Sequence, residues 1–141
     1  AVIDAEIDKN SEGVFFALGG IASGFTVYLD KGILKAEYNA MTLNRYKIAS
    51  ESAIATGKVK IEVETKYDSK ERMAPATVTL KVNGEQVGQG RIERSVPAQH
   101  SAFETFDVGE DLGSPVALDY YDRAPFKFSG KINKIDIRYL D

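Results

Sequence analysis

Apolar and polar residues alternate with a period of two along most of this chain. The clearest stretch is Lys58 to Tyr67, where Val59, Ile61, Val63, Thr65 and Tyr67 fall on one side and Lys58, Lys60, Glu62, Glu64 and Lys66 on the other. Successive side chains of a strand point to opposite faces, so this pattern predicts an antiparallel strand with one buried and one wet face. Ala76 to Val82 repeats it, with Val78, Leu80 and Val82 on the core side. Asn83-Gly84 follows, a pair suited to a type I′ turn because both central residues need positive φ. The return strand is expected over Gln86 to Glu93. A second hairpin is expected from Phe25–Leu29 through a three-residue loop, Asp30-Lys31-Gly32, into Ile33–Tyr38, with Gly32 left-handed. Further strands are expected at Ile3–Ile7, Val14–Leu18, Asn44–Ser50, Ala102–Phe106 and Ile132–Leu140. In the last of these, Ile135, Ile137 and Tyr139 share a face and Ile132 is out of phase. A bulge or loop near Asn133 would reconcile them.

No window carries a convincing helical stripe. Many short strands separated by turn signals predict an all-β sandwich or barrel. The absence of Cys and Trp disfavours an immunoglobulin domain. A two-sheet antiparallel jelly-roll sandwich of the concanavalin A-like kind fits 141 residues read as one domain, 1–141, with the first and last strands adjacent.

Composition narrows the function. The net charge of −3 offers no basic excess for collecting phosphates, so nucleic acid is not the expected partner. No apolar run approaches the roughly 20 residues that span a bilayer as a helix, and no membrane partner is expected. Without cysteine there is no disulfide, thiol nucleophile or thiolate zinc site. The chain begins without Met and already inside a strand pattern, Ala1 to Ile7, as expected of a fragment of a longer protein.

Candidate chemistry is sparse. His100 is the single histidine. Its neighbour Ser101 suggests a Ser–His pair, but adjacent strand residues point apart, and a polar loop histidine is the simpler reading. Asp107, Glu110 and Asp111 crowd one short loop. Such a loop can gather oxygen ligands for calcium, or its carboxylates can cap their own backbone. The spacing is not that of an EF-hand, and the capped turn is preferred, with Asp107 or Asp111 accepting backbone N–H groups or pairing with an arginine such as Arg123. Glu62 and Glu64 read as a solvated charge ladder rather than a glycosidase pair. Phe126 and Phe128 share parity and are expected in the core. Tyr120 and Tyr121 cannot both face inward from a strand, so one of them is expected at an interface. Gly19, Gly20 and Gly24 are followed by neither lysine nor helix and form no phosphate loop.

The order of several segments resembles the C-terminal region of bacterial arylsulfatases. They are Gly13-Val-Phe-Phe-Ala-Leu-Gly-Gly20, Gly24-Phe-Thr-Val-Tyr-Leu29, Glu37-Tyr-Asn39 with Arg45-Tyr46, Val78-Thr-Leu-Lys-Val-Asn-Gly84, Gly88-Gln-Gly-Arg-Ile-Glu-Arg94, Phe106-Asp-Val-Gly-Glu-Asp-Leu-Gly-Ser-Pro-Val116 and Pro125-Phe-Lys-Phe-Ser-Gly130. The likeness spans nearly the whole chain. It implies an accessory β-sandwich packed in cis on a separate α/β sulfatase catalytic domain. In that family a formylglycine matured within Cys/Ser-x-Pro-x-Arg and a calcium ion do the chemistry in the other domain. This chain lacks the motif, since Ser95-Val-Pro-Ala-Gln99 has no Arg, so no catalytic residue and no cofactor is expected here. Where that family usually has Trp after the Gly-Gly segment, this chain has Phe25. A periplasmic or extracellular setting is compatible with such a parent. The alternative function is a carbohydrate-binding, lectin-like module with glycan as partner. A glycan binder should present exposed Tyr or Phe on a concave face, an accessory domain an apolar patch matched to its neighbour.

Overall fold

The computed structural model describes residues 1–97, 100 and 104–139. Ten strands follow in order: β1 Val2–Ile7, β2 Gly13–Gly19, β3 Gly24–Asp30, β4 Ile33–Ala40, β5 Asn44–Ala49, β6 Gly57–Tyr67, β7 Ala76–Val82, β8 Glu85–Ile92, β9 Phe106–Val108 and β10 Lys131–Asp136. A short 3-10 helix, Leu118–Arg123, precedes β10. The strands form two antiparallel five-stranded sheets packed face to face, one in the order β10-β1-β6-β7-β8 and the other β5-β4-β3-β2-β9. The all-β, two-sheet sandwich expected from the alternation is therefore observed.

The alternation sets which face is buried. Val59, Ile61 and Val63 of β6 and Val78, Leu80 and Val82 of β7 enter the core, while Lys58, Lys60 and Lys66 stay exposed. From the second sheet, Phe16, Val27, Leu29, Leu34, Ala36 and Ile48 meet them. Full burial of a side chain of this size contributes about 1.5–3 kcal/mol, so the inner faces drive assembly. Tyr67 has core parity but is half exposed, because it ends β6 where the opposing sheet no longer covers it.

The first and last strands pair, Ile3 opposite Ile135. The register slips where Asp4 faces Lys134 and Ala5 faces Ile132, leaving Asn133 as the extra residue of a bulge. That brings Ile132 back into phase. Asn83-Gly84 turns with φ of 51° and 84°, the geometry of a type I′ hairpin. The other hairpin differs from expectation. Asp30 pairs with Ile33 and belongs to the strand, and the loop is the two-residue Lys31-Gly32, with φ of 51° and 79°. Its mirror-image turn follows the twist of the flanking strands, so no third loop residue is needed. The ninth strand lies at Phe106–Val108 rather than Ala102–Phe106, and the tenth stops at Asp136. Ser101, Ala102, Phe103 and Leu140 lie outside the described residues.

The segment from Gly109 to Gly130 forms a third layer. It crosses the outer face of the second sheet as a strap, tied by backbone bonds from Val14 N to Phe126 O at 2.8 Å and from Gly109 N to Phe15 O at 2.8 Å. Beneath it Val14, Ala17, Tyr28, Val116, Ala117, Tyr120 and Phe126 form a second apolar cluster. Gly13 permits this contact: a Cβ there would lie 2.5 Å from the Lys127 carbonyl oxygen, and its φ of +119° disfavours any side chain.

Candidate functional site

The carboxylate loop is built from its own backbone. Asp107 Oδ2 accepts the Leu112 N–H at 2.9 Å, and Asp111 Oδ2 accepts the Val116 N–H at 2.8 Å. Each carboxylate thus reaches an amide five residues ahead and closes a turn. Glu104 Oε1 accepts both the N–H and the hydroxyl of Ser114, and that hydroxyl oxygen accepts the Ile21 N–H. Gly109 and Gly113 hold the positive φ values of 77° and 73° that the turns require. Glu110 makes no hydrogen bond or ion pair among the described residues. The geometry is that of the capped turn. Among the described residues, no three carboxylates or histidines, Asp107, Glu110 and Asp111 included, are grouped to hold a metal ion.

Arg123 is engaged elsewhere than that loop. Its guanidinium grips Asp30 with bonds of 3.0 and 3.1 Å and lies over the Phe126 ring, 4.3 Å from the centroid. Partial burial notwithstanding, the Asp30 carboxyl is held below its ordinary range, chiefly by the Arg123 hydrogen bond.

Asp111 is fully buried. Its Oδ2 also accepts the Tyr120 hydroxyl proton, while its Oδ1 has no hydrogen-bond partner among the described residues. Burial pushes its carboxyl above the ordinary value of 3.8, the Asp107 and Glu104 charges add to the shift, and the bonds from Tyr120 and Val116 oppose it. Asp119 behaves in the opposite way. Partial burial works against its ionisation, but hydrogen bonds from Lys47 Nζ at 2.7 Å, the Tyr28 hydroxyl at 2.9 Å and Lys35 Nζ at 3.3 Å hold its carboxyl down at about 2. Glu37, also buried, pairs with Arg45, which donates to the Val116 carbonyl at 2.6 Å as well.

Tyr120 and Tyr121 sit on the 3-10 helix, not on a strand. Tyr120 is fully buried and packs on Tyr28 and Phe126, so it cannot meet a partner; Tyr121 is exposed. Phe128 enters the main core, and Phe126 the cluster under the strap.

His100 lies at the end of the sandwich where β6 and β8 finish, against the β2–β3 loop. The Ser101 expected beside it lies outside the described residues. Its Nδ1 lies 3.0 Å from Ser23 Oγ, a partner 77 positions away that no local pattern marks. Ser23 Oγ donates to the Asn39 carbonyl at 3.1 Å. With that proton committed, Nδ1 carries the ring proton and donates to Oγ, leaving Nε2 as an acceptor. The serine therefore positions the ring and is not deprotonated by it. Burial lowers the His100 pKa, keeping the ring neutral. Two cavities of about 400 and 360 Å³ flank Val96 and His100.

The outer face of the first sheet carries Lys60, Glu62, Glu64 and Lys81 with no aromatic ring among them. Glu64 pairs with Lys81 at 3.7 Å, so the Glu62–Glu64 stretch is the charge ladder its alternation suggested.

Two outcomes test this site. For Asp111, the folded chain binds the proton more tightly than the unfolded chain. Its contribution to stability is fully present below 3.8 and is lost as the pH rises through the raised folded-state value. Asp111→Asn keeps an acceptor for Tyr120 and Val116 and removes that loss. Its melting temperature relative to the native chain should climb between about pH 3.5 and about pH 7. A constant difference across that range contradicts the assignment. Second, calcium and a chelator should leave the melting temperature unchanged, whereas an ion held by the loop would raise it with the logarithm of its concentration. No family model matches this chain, and no curated protein matches it.

Proposed function

We propose that this chain is a non-catalytic accessory domain, a jelly-roll sandwich of the concanavalin A-like kind, that packs in cis on the catalytic domain of an arylsulfatase. The observation that carries the reading is an apolar patch along the β2–β9 edge. Leu18 stands opposite Phe106, and Phe16 opposite Val108. These side chains have core parity, yet Leu18, Phe106 and Val108 are 39%, 40% and 52% exposed. Phe106 stacks on Phe16 at 5.5 Å, so the patch continues the core outward. Charged gatekeepers usually blunt an edge strand; β9 offers only Asp107, which is turned to its own loop. A contiguous apolar edge of this kind suits a neighbouring domain. The exposed Tyr121 and Leu118 on the strap offer a second contact.

The sheet faces support the same choice over a lectin-like platform. One outer face is covered by the strap and the other is a charge ladder, so neither presents the open aromatic surface that a face-type glycan binder uses. Among the described residues, no nucleophile is paired with a base able to activate it. The parent's formylglycine and calcium belong to the other domain.

Two measurements decide. Extending the reading frame upstream should uncover Cys/Ser-x-Pro-x-Arg within an α/β domain, and a frame without it overturns the reading. The chain added to that separately produced domain should bind it, and Phe106→Asp should weaken binding at least about tenfold. Undiminished binding by that variant removes the edge from the interface. The chain alone should leave an aryl sulfate unhydrolysed, and turnover by it, absent from a parallel mutant preparation, also overturns the reading.

A further inference from the structure

The end of the sandwich where β6 and β8 finish combines three features that together suit a ligand. The first is space. The larger cavity, about 400 Å³, lies between the β6–β7 loop and the segment after β8, within the range of ligand pockets. Its wall includes the half-exposed Tyr67 ring and the Tyr38 and His100 rings, the last two in edge contact at 5.0 Å.

The second is uncommitted polarity. The buried Tyr38 hydroxyl accepts the Val96 N–H at 2.9 Å, and its own proton has no acceptor among the described residues. The tautomer fixed by Ser23 leaves His100 Nε2 an acceptor. Lys70 and Arg72 line the same wall, and neither has an ion-pair partner among the described residues. One wall thus offers a donor, an acceptor, an aromatic surface and two cations against the single carboxylate of Glu71.

The third is backbone held in costly conformations. Among the described residues, six other than glycine have positive φ. Lys31 and Asn83 lie in their hairpin turns, Met41 and Thr42 in the β4–β5 turn, and Phe126 in the strap. Met41, Thr42 and Met73, at 57°, 62° and 63°, line the two cavities. For a β-branched residue such as Thr42 this conformation is costly, and it persists only where the surroundings enforce it. Asn39 does so here. Fully buried, it accepts the Thr42 N–H at 2.9 Å and donates to the Ile21 carbonyl at 2.7 Å, locking the β4–β5 turn to the β2–β3 loop. Strained, over-determined backbone concentrates at ligand sites.

We propose that these cavities bind an acidic saccharide, a sugar chain bearing carboxylate or sulfate groups. Tyr67 stacks on a ring, Tyr38 and His100 meet its hydroxyl groups, and Lys70 and Arg72 take the acidic substituent. An open, polar groove with both donors and acceptors matches a hydroxyl-rich ligand, and the unpaired cations select a charged one. This site lies in an end of the sandwich, not on a sheet face, and is independent of the β9 edge and of any catalytic domain.

Calorimetric titration of the chain with a chondroitin sulfate oligosaccharide and an oligogalacturonate tests it, with a neutral cello-oligosaccharide, poly-glutamate and inorganic sulfate alongside. At least one acidic oligosaccharide should bind, and the three comparison ligands at least about tenfold more weakly. Rising salt should weaken binding through the cations. Lys70→Ala with Arg72→Ala, and separately Tyr67→Ala, should each reduce affinity at least about tenfold with the melting temperature held, since all three side chains are exposed. No binding by either acidic oligosaccharide overturns the proposal, as does binding that both sets of variants leave intact. Equal binding of poly-glutamate or sulfate assigns the groove to anions in general and overturns the saccharide.

Discussion

The outer face of the second sheet must be sealed without leaving its polar groups stranded, and Asp119 meets that constraint. That face carries Tyr28, Lys35, Glu37 and Lys47 on neighbouring strands, beside an apolar patch too large to leave wet. Covering it with coil buries a tyrosine hydroxyl and narrows the solvation of two lysines. One carboxylate from the 3-10 helix accepts bonds from all three. Arg45 adds a second stitch, bridging Glu37 to the Val116 carbonyl, and Arg123 a third, gripping Asp30. Buried polar groups are tolerated when partnered and expensive when not. The strap is thus held as much by satisfied charges as by Tyr120 and Phe126 beneath it. Asp111, with one oxygen unpartnered among the described residues, is the exception, and its burial raises its pKa.

The two-sheet core was legible because parity needs only local sequence. Val59, Ile61 and Val63 declare their face by alternation alone, and Asn83-Gly84 declares its turn. Even the bulge at Asn133 was readable, since Ile132 falls out of phase with Ile135 and Ile137. The carboxylate turns were readable for the same reason, because each carboxylate reaches only five residues ahead. The strap was not. Val116, Ala117, Tyr120 and Phe126 follow neither period, so nothing marks them as the lid of a second cluster. Asp119 meets its partners across 91, 84 and 72 positions, and only the fold reveals that contact. Tyr120 and Tyr121 read as strand residues by default, while a single 3-10 turn sends one inward and the other to solvent. Ser23 and His100 were hidden likewise: a sequence neighbour, Ser101, drew attention while the spatial neighbour lay elsewhere.

This division of labour bears on function. The strap closes one face and the charge ladder occupies the other, so the chain keeps two places for contact. One is the apolar β2–β9 edge, where core parity continues past the covering sheet. The other is the polar end around Tyr38, Tyr67 and His100. Their chemistries differ, and the first suits a protein surface as the second suits a hydrated ligand.

Amide hydrogen exchange on Asp119→Ala tests the central claim that this carboxylate fastens the strap as a layer. The account predicts faster exchange at the Asp111, Val116 and Phe128 amides, with the β6 and β7 amides still protected to within a few-fold of the native chain. Unchanged protection in the strap would contradict it, because the apolar cluster alone would then be holding the layer down.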